Sequence, residues 1–330
     1  MPMIIDMEHH AATPDMLEKG SSPSGLYCER YWDNGKMKIR SFKESARVKE
    51  RLEFMDEAGI DIALLTTNPL TTLDQCRRWN EFCAQLIQAN PKRFVGFATV
   101  PPLGGKPALL ELERAIKQLK LKGVHISTRN QDYHMDSPEM WPFYEKIAEL
   151  KIPIDLHVTL DPSGYDAAHA PYALHYVIAR ELDMQVETLR ICLGGVLEDF
   201  PELVFIINHF GGGVIGIMER LDAYLSYVGP GCPSFYSGKE LISRPWREYF
   251  NKLYFNMAGR QLGMATIKSA LTVISPQNLM FGTDWPFNYD HNAQLAKQYI
   301  REIRQLPLPQ SDIDAMLGGN AARMLNIRAQ

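Results

Sequence analysis

Five side chains spread along the chain are of the types that bind and use a metal ion: Glu8, His10, His157, His209 and Asp284. Glu8 and His10 are two residues apart, and in an extended segment such positions face the same way, so the pair can grip one ion. With His157 and Asp284 they make a mixed nitrogen and oxygen donor set suited to a divalent first-row metal, with room for solvent or substrate. His209 is then a spare histidine. Each residue also has a plainer reading. A histidine at a strand end is often a hydrogen-bonded structural residue, and Glu8 alone could be a solvated loop charge. Their coincidence favours chemistry, because all five stand at the C-terminal ends of apolar runs and none at the opposite ends. His9 should point away from its neighbours. His125 lies inside an apolar run, as a core residue or one lining the mouth. His134, His169, His175 and His291 fall in loops or helices and read as structural.

The elements that must position these groups are eight short runs rich in Ile, Val, Leu and Phe, at 3–7, 60–66, 94–100, 123–127, 153–158, 203–208, 253–257 and 279–283. Most are continuous rather than alternating, as expected for parallel strands covered on both faces. Helical patterns lie between them. Val48, Leu52 and Met55 share a face and Gly59 stops that helix; Leu109, Leu112, Ile116 and Leu119 repeat the pattern, with Gly123 as the stop. Ser137 and Pro138 open a helix over 138–150 as N-cap and first-turn proline. Eight strand–helix repeats favour an α/β fold closed into a (β/α)8 barrel over an open doubly wound sheet, and a barrel gathers its chemistry at the C-terminal strand ends. One domain over 1–330 is expected, with insertions at about 20–42, 160–192 and 226–240; the first reads as a loop over the barrel mouth.

Composition narrows the field. A net charge of −4 over 330 residues, 22% of them charged, argues against nucleic acid as the main partner. No apolar run approaches the roughly 20 residues of a membrane span, and the first residues lack a cationic segment ahead of an apolar core. Cys28, Cys76, Cys83, Cys192 and Cys232 are odd in number and form no CxxC pair, which fits a reduced cytoplasmic protein.

Several segments resemble the amidohydrolase-related decarboxylases: IDMEHH at 5–10, ETLRICLGGVLEDFPELVFIINHFGGG at 187–213, FGTDWPF at 281–287 and GNAARMLNI at 319–327. The resemblance spans nearly the whole chain. It implies a (β/α)8 barrel, one divalent metal (Mn2+ or Zn2+), and a homodimer or homotetramer. Carried over residue by residue, Glu8, His10, His157 and Asp284 fall on metal-ligand positions and His209 on the catalytic histidine. Arg51 matches a substrate-binding arginine of the muconate branch, and Arg220, eleven residues after His209, matches an arginine that reaches the neighbouring subunit's site. Glu8 replaces the first histidine of the muconate branch, as in the resorcylate and carboxyvanillate branches, and its hard oxygen also makes Mn2+ plausible. The resorcylate branch has a glutamate three residues after its histidine, where this chain has Gly212. The acid beside His209 is therefore missing or supplied from elsewhere.

The activity implied is metal-dependent, non-oxidative decarboxylation of a small hydroxy- or aminohydroxy-benzoate-like carboxylate. Asp284 would give the proton, His209 would hydrogen-bond the acid or the substrate, and Trp285, Phe287, Tyr27 and Trp32 would form apolar walls. The alternative is a metal-dependent hydrolase acting on an amide, lactone or C–C bond, in which Asp284 or His209 takes a proton from bound water. A third reading is a barrel that only binds its ligand.

Overall fold

The computed structural model describes residues 2–129, 133–225, 241–258 and 263–327. Eight strands match the eight apolar runs: β1 (Ile5–His10), β2 (Ile62–Thr66), β3 (Phe94–Gly96), β4 (Val124–Ser127), β5 (Ile154–His157), β6 (Phe205–Ile207), β7 (Tyr254–Asn256) and β8 (Leu279–Met280). Pairing is parallel throughout, β1 to β3 in one set and β4 to β8 in the other. Backbone hydrogen bonds join the sets at both seams. Ala98 N donates to Gly123 O (2.9 Å) and His125 N to Ala98 O (2.8 Å). Across the other seam Met7 N donates to Phe281 O and Asp284 N to Glu8 O, each at 2.8 Å. The ring is thus closed as the (β/α)8 barrel the pattern predicts, and helices covering its outside account for the unbroken apolar runs.

Local chemistry explains the boundaries. Helix α1 (Val48–Ala58) ends at Gly59, whose φ of +82° only glycine adopts freely. Helix α2 (Leu73–Ala89) opens with a capping box between Thr72 and Gln75. Helix α3 (Gly105–Lys117) corrects an expectation: Leu119 lies beyond it and Gly123 does not stop it. A Cβ at Gly123 would lie 2.7 Å from the Phe97 ring, so this glycine lets β4 lie close beside β3. The predicted 138–150 helix begins as a 3-10 turn, Pro138–Met140, and helix α4 is Trp141–Leu150. Pro142 tolerates only the first turn of an α-helix, which fixes the start at Trp141. Ser137 Oγ accepts from His134 N instead of capping.

Two of the insertions carry structure. Within 20–42, Cys28–Asp33 and Lys36–Ser41 pair as an antiparallel hairpin around Asn34 and Gly35, both at positive φ, so this arm is not the plain loop expected. Within 160–192, a π-turn over His175–Ala179 runs into helix α5 (Arg180–Leu193). The third insertion, 226–240, and Cys232 with it, lie outside the described residues.

The seam between β1 and β8 is held by one buried carboxylate. Asp6 accepts from Thr283 N (2.8 Å), Thr283 Oγ1 (2.6 Å), Glu8 N (3.1 Å) and His9 Nδ1 (2.8 Å). A bulge in β1 between Asp6 and His9 goes with this arrangement. Replacing Asp6 with Asn turns an NH2 group toward these donors. Asp6→Asn should cost about 2–4 kcal/mol of stability, since buried donors lose their acceptor. A urea midpoint equal to that of the parent would show that the carboxylate does not hold the seam.

Candidate active site

The C-terminal strand ends bring the five chemical residues together. Glu8 is fully buried, and its Oε1 lies 3.4 Å from His157 Nε2, 3.4 Å from His209 Nε2 and 3.8 Å from His10 Nε2. Asp284 Oδ1 is 3.2 Å from His10 Nε2, and Asp284 Oδ2 accepts from Asn288 Nδ2 at 2.8 Å. Two overlapping groups, Glu8 with His157 and His209, and Glu8 with His10 and Asp284, each have donor atoms within 4.8 Å of one another. Both carboxylate oxygens of Glu8, both ring nitrogens of His10 and Nε2 of His209 are buried without a hydrogen-bond partner. Such atoms are costly unless an ion or solvent meets them, so the cluster fits a divalent cation.

Two of the imidazoles are turned by their other nitrogen. His157 Nδ1 donates to Val158 O (2.9 Å) and His209 Nδ1 contacts Glu181 Oε1 (2.7 Å), leaving both Nε2 atoms facing Glu8. Burial foremost pushes His157 down to about 4, which keeps its ring neutral and able to ligate. Burial would lower His209 too, but Glu181 and Glu8 outweigh it and raise it well above the ordinary value. Burial alone would raise Glu8, yet the surrounding imidazoles hold its carboxyl well below the usual range. Desolvation opposes charge on His10, and the carboxylates of Asp284 and Glu8 nevertheless lift it to about 9. The pocket thus attracts positive charge.

Glu181 supplies the acid that Gly212 cannot. It stands on α5, 28 residues before His209, and no spacing rule in the sequence connects the two. Residues His209 to Gly213 all have φ between +52° and +87°, a left-handed turn that a run of glycines makes accessible. A Cβ at Gly212 would lie 1.9 Å from Glu181 O, so the bare backbone lets α5 come close enough to reach His209.

The cavity above the cluster has a volume of about 300 Å³. Its floor is His10, His157 and Asp284; Phe287, Met37, Ile39 and Leu160 supply apolar wall, and Tyr176 and Arg180 close another side. Phe287 lines the cavity, its ring centre 5.0 Å from that of His10 in an edge-on arrangement. Arg51 and Trp285 do not line the cavity. Arg51 is 1% exposed and donates to His10 O (2.9 Å) and Ser45 O (3.1 Å). Its guanidinium lies 4.4 Å from the Trp285 ring centre, and that ring stacks on His9 at 4.7 Å. Both form the packing behind β1: Arg51, in the first turn of α1, faces the barrel wall rather than its mouth, and Trp285 packs between it and His9. Tyr27 packs on Trp285, Trp32 is exposed on the hairpin, and Arg220 is exposed with its charge over Tyr224 at 4.6 Å. His175, read as structural, lines the cavity, whereas His125 is bonded to Asp155 at 2.6 Å. His9 is held by Asp6, away from the metal-binding groups.

The close approach at Gly212 separates two neighbouring glycines. Gly212→Ala should cost more than about 2 kcal/mol and displace Glu181. Gly213→Ala, with open space around it, should cost only the roughly 1–2 kcal/mol of a left-handed alanine. Equal thermal shifts for the two variants would refute the packing role of Gly212.

Known proteins share this arrangement of chain and fold. The amidohydrolase family model matches residues 5–327. The gamma-resorcylate decarboxylase of Polaromonas sp. is 27% identical over 309 residues, covering 88% of this chain and 90% of that one. The crystal structure of 5-carboxyvanillate decarboxylase from Sphingomonas paucimobilis superposes with a TM-score of 0.80 at 22% identity, covering 99% of this chain and 100% of that one. A dihydroxybenzoic acid decarboxylase from Polaromonas sp., solved with manganese and the inhibitor 2-nitroresorcinol, gives 0.76 at 24% identity, covering 100% and 98%. With its motifs, its closed barrel and its match from end to end, the chain belongs to the amidohydrolase family.

Proposed function

We propose that this protein is a metal-dependent carboxy-lyase that removes CO2 from a small aromatic carboxylate bearing an ortho hydroxyl. The observation that carries the reading is the buried cluster of unpartnered Glu8, His10 and His209 atoms, with His157 and Asp284, at the floor of a largely apolar cavity. The decarboxylase relatives support it. Glu8, His10, His157 and Asp284 would hold one divalent ion, and two carboxylate donors suit Mn2+, the ion in the Polaromonas structure, more than Zn2+. When bound, that ion supplies Lewis acidity toward the substrate's hydroxyl and carboxylate oxygens.

The chain's own residues do the rest. Asp284, at the edge of the cavity, delivers a proton from its carboxyl to the ring carbon that bears the carboxylate. The bond from that carbon to the carboxylate then breaks, its electron pair returns to the ring, and neutral CO2 leaves. His209, fixed by Glu181, orients the reacting groups through its Nε2. Phe287, Met37 and Ile39 exclude water and align the ring.

We also infer a homodimer or homotetramer in the cytoplasm. Leu174, Ile178, Leu182 and Val186 recur every four residues on the outer side of the 174–193 helical stretch and are 36–46% exposed, an apolar stripe that a second copy would cover. Arg220, exposed and not among the residues lining its own cavity, would act across that boundary. The free thiols of Cys28, Cys76, Cys83 and Cys192 fit a reducing compartment. Among the described residues no helix is long and apolar enough to cross a membrane.

Manganese-loaded protein should release CO2 from dihydroxybenzoates or aminohydroxybenzoates, lose this on chelation and regain it with added Mn2+. Asp284→Asn should lower turnover at least about a thousandfold, the upper range of general-acid effects. In heavy-oxygen water the aromatic product should carry no solvent oxygen. Solvent oxygen in the product would instead establish the hydrolase. If the apolar stripe joins subunits, Leu182→Glu should sediment as monomer and lose activity; an active monomer would remove Arg220 from the reaction.

A further inference from the structure

The charged groups on the cavity wall are already balanced. Lys36 pairs with Asp161, Lys38 with Asp33, and the Arg180 Nε lies 3.5 Å from Glu181 Oε1. His175 is different. It opens the π-turn His175–Ala179 that leads into α5, is 2% exposed, and lines the cavity with His10, His157 and Asp284. Its Nε2 lies 3.2 Å from Met37 O of the hairpin, and the His169 ring packs on it with centres 4.5 Å apart and planes tilted by 40°. Its Nδ1 is buried and, among the described residues, meets no hydrogen-bond partner.

These contacts fix what the ring offers. A carbonyl oxygen only accepts, so in the neutral ring the proton stands on Nε2, toward Met37, and Nδ1 keeps a bare lone pair. A buried acceptor without a donor is costly, and a ligand that brings a donor removes the cost. A carboxylate or a methoxy group brings only lone pairs, whereas an amino group or a hydroxyl brings an N–H or O–H. His175 belongs to the wall and to neither metal-binding group, so the substituent it meets is one other than the hydroxyl and carboxylate turned toward the ion.

Resting on the carboxy-lyase reading, we propose that His175 is a specificity-determining residue. Its Nδ1 accepts a hydrogen bond from an amino or second hydroxyl group on the ring edge opposite the metal-facing pair, and the substrate carries such a neutral donor. A site that leaves its own buried acceptor unpaired rejects a ring lacking the donor.

The test is calorimetric titration of the manganese-loaded protein with unreactive analogues in which a nitro group replaces the departing carboxylate. 2-Nitrophenol keeps the hydroxyl alone. The 4-amino and 5-amino derivatives add a donor on the far edge, and the matching methoxy derivatives add electron density there without one. Wild-type protein should bind one amino compound at least about tenfold more tightly than its methoxy counterpart. The H175Q side chain carries an amide N–H at the reach of Nε2 and nothing in place of Nδ1. The H175N side chain puts an amide oxygen in place of Nδ1 and is too short for Met37 O. H175Q should therefore lose the preference and H175N keep part of it, with 2-nitrophenol bound as before by both, which shows the site intact. Equal binding of amino and methoxy compounds by the wild type would overturn the proposal. So would the reverse pattern, lost in H175N and kept in H175Q, which marks a histidine that only ties down the hairpin. Loss by both variants, or retention by both, overturns it as well. A donor preference that depends on His175 in the expected way, with no CO2 released from any hydroxy- or aminohydroxybenzoate, would instead sink the carboxy-lyase reading and leave the donor site standing.

Discussion

The chemistry of this protein depends on the seam where its first and last barrel strands meet, and on the Asp6 carboxylate that fastens it. Because Asp6 accepts from Glu8 N on one strand and from Thr283 on the other, the two halves of the metal-binding cluster share one anchor. Glu8 and His10 follow directly on one side and Asp284 on the other. Asp284 N in turn donates to Glu8 O, so the two acids are tied through backbone as well as side chain. Arg51 extends the same frame by holding His10 O from behind, with Trp285 packed between it and His9. A cluster of carboxylates and imidazoles repels or collapses unless its members are held this firmly, and buried hydrogen bonds supply that hold.

A second constraint acts on ring orientation. The hydrogen bond at one ring nitrogen sets where the other points, and here a backbone carbonyl serves His157 while a carboxylate serves His209. The second arrangement required an exchange between distant positions. Gly212 gives up a side chain, α5 moves into the vacated space, and Glu181 arrives at His209 from the helix. Acid and glycine are two sides of one steric solution, which is why reading either position alone gives an incomplete site.

The division of labour follows the architecture. Residues at the strand ends form the floor, where position must be exact to a fraction of an ångström, and the barrel provides it. The walls come from the hairpin at 28–41 and from the 174–193 helical stretch, which are insertions between barrel strands. Insertions can change without disturbing the floor, so the walls, Tyr176 and Arg180 among them, are free to vary while the floor stays fixed.

Much of this was legible in the residues. Eight apolar runs foretold eight strands, and the ligand types at their C-terminal ends foretold the cluster, because period, burial and strand direction are local properties that side chains announce. The hairpin was readable too: Asn34 and Gly35 between alternating residues are its ordinary turn signal, although the segment reads as loop when judged by composition. Asp6 could have been noticed as the acid two residues before Glu8 on the same face. What sequence could not decide were partnerships across the fold. Arg51 and Trp285 have the chemistry of substrate contacts, and only packing put them behind β1; Glu181 has the chemistry of a solvated helix acid, and only the bare backbone at Gly212 brought it to His209. Sequence determines which groups are available and which way each local segment faces them. Which groups meet is decided by the closure of the barrel and by the volume each side chain excludes, and those are properties of the assembled chain.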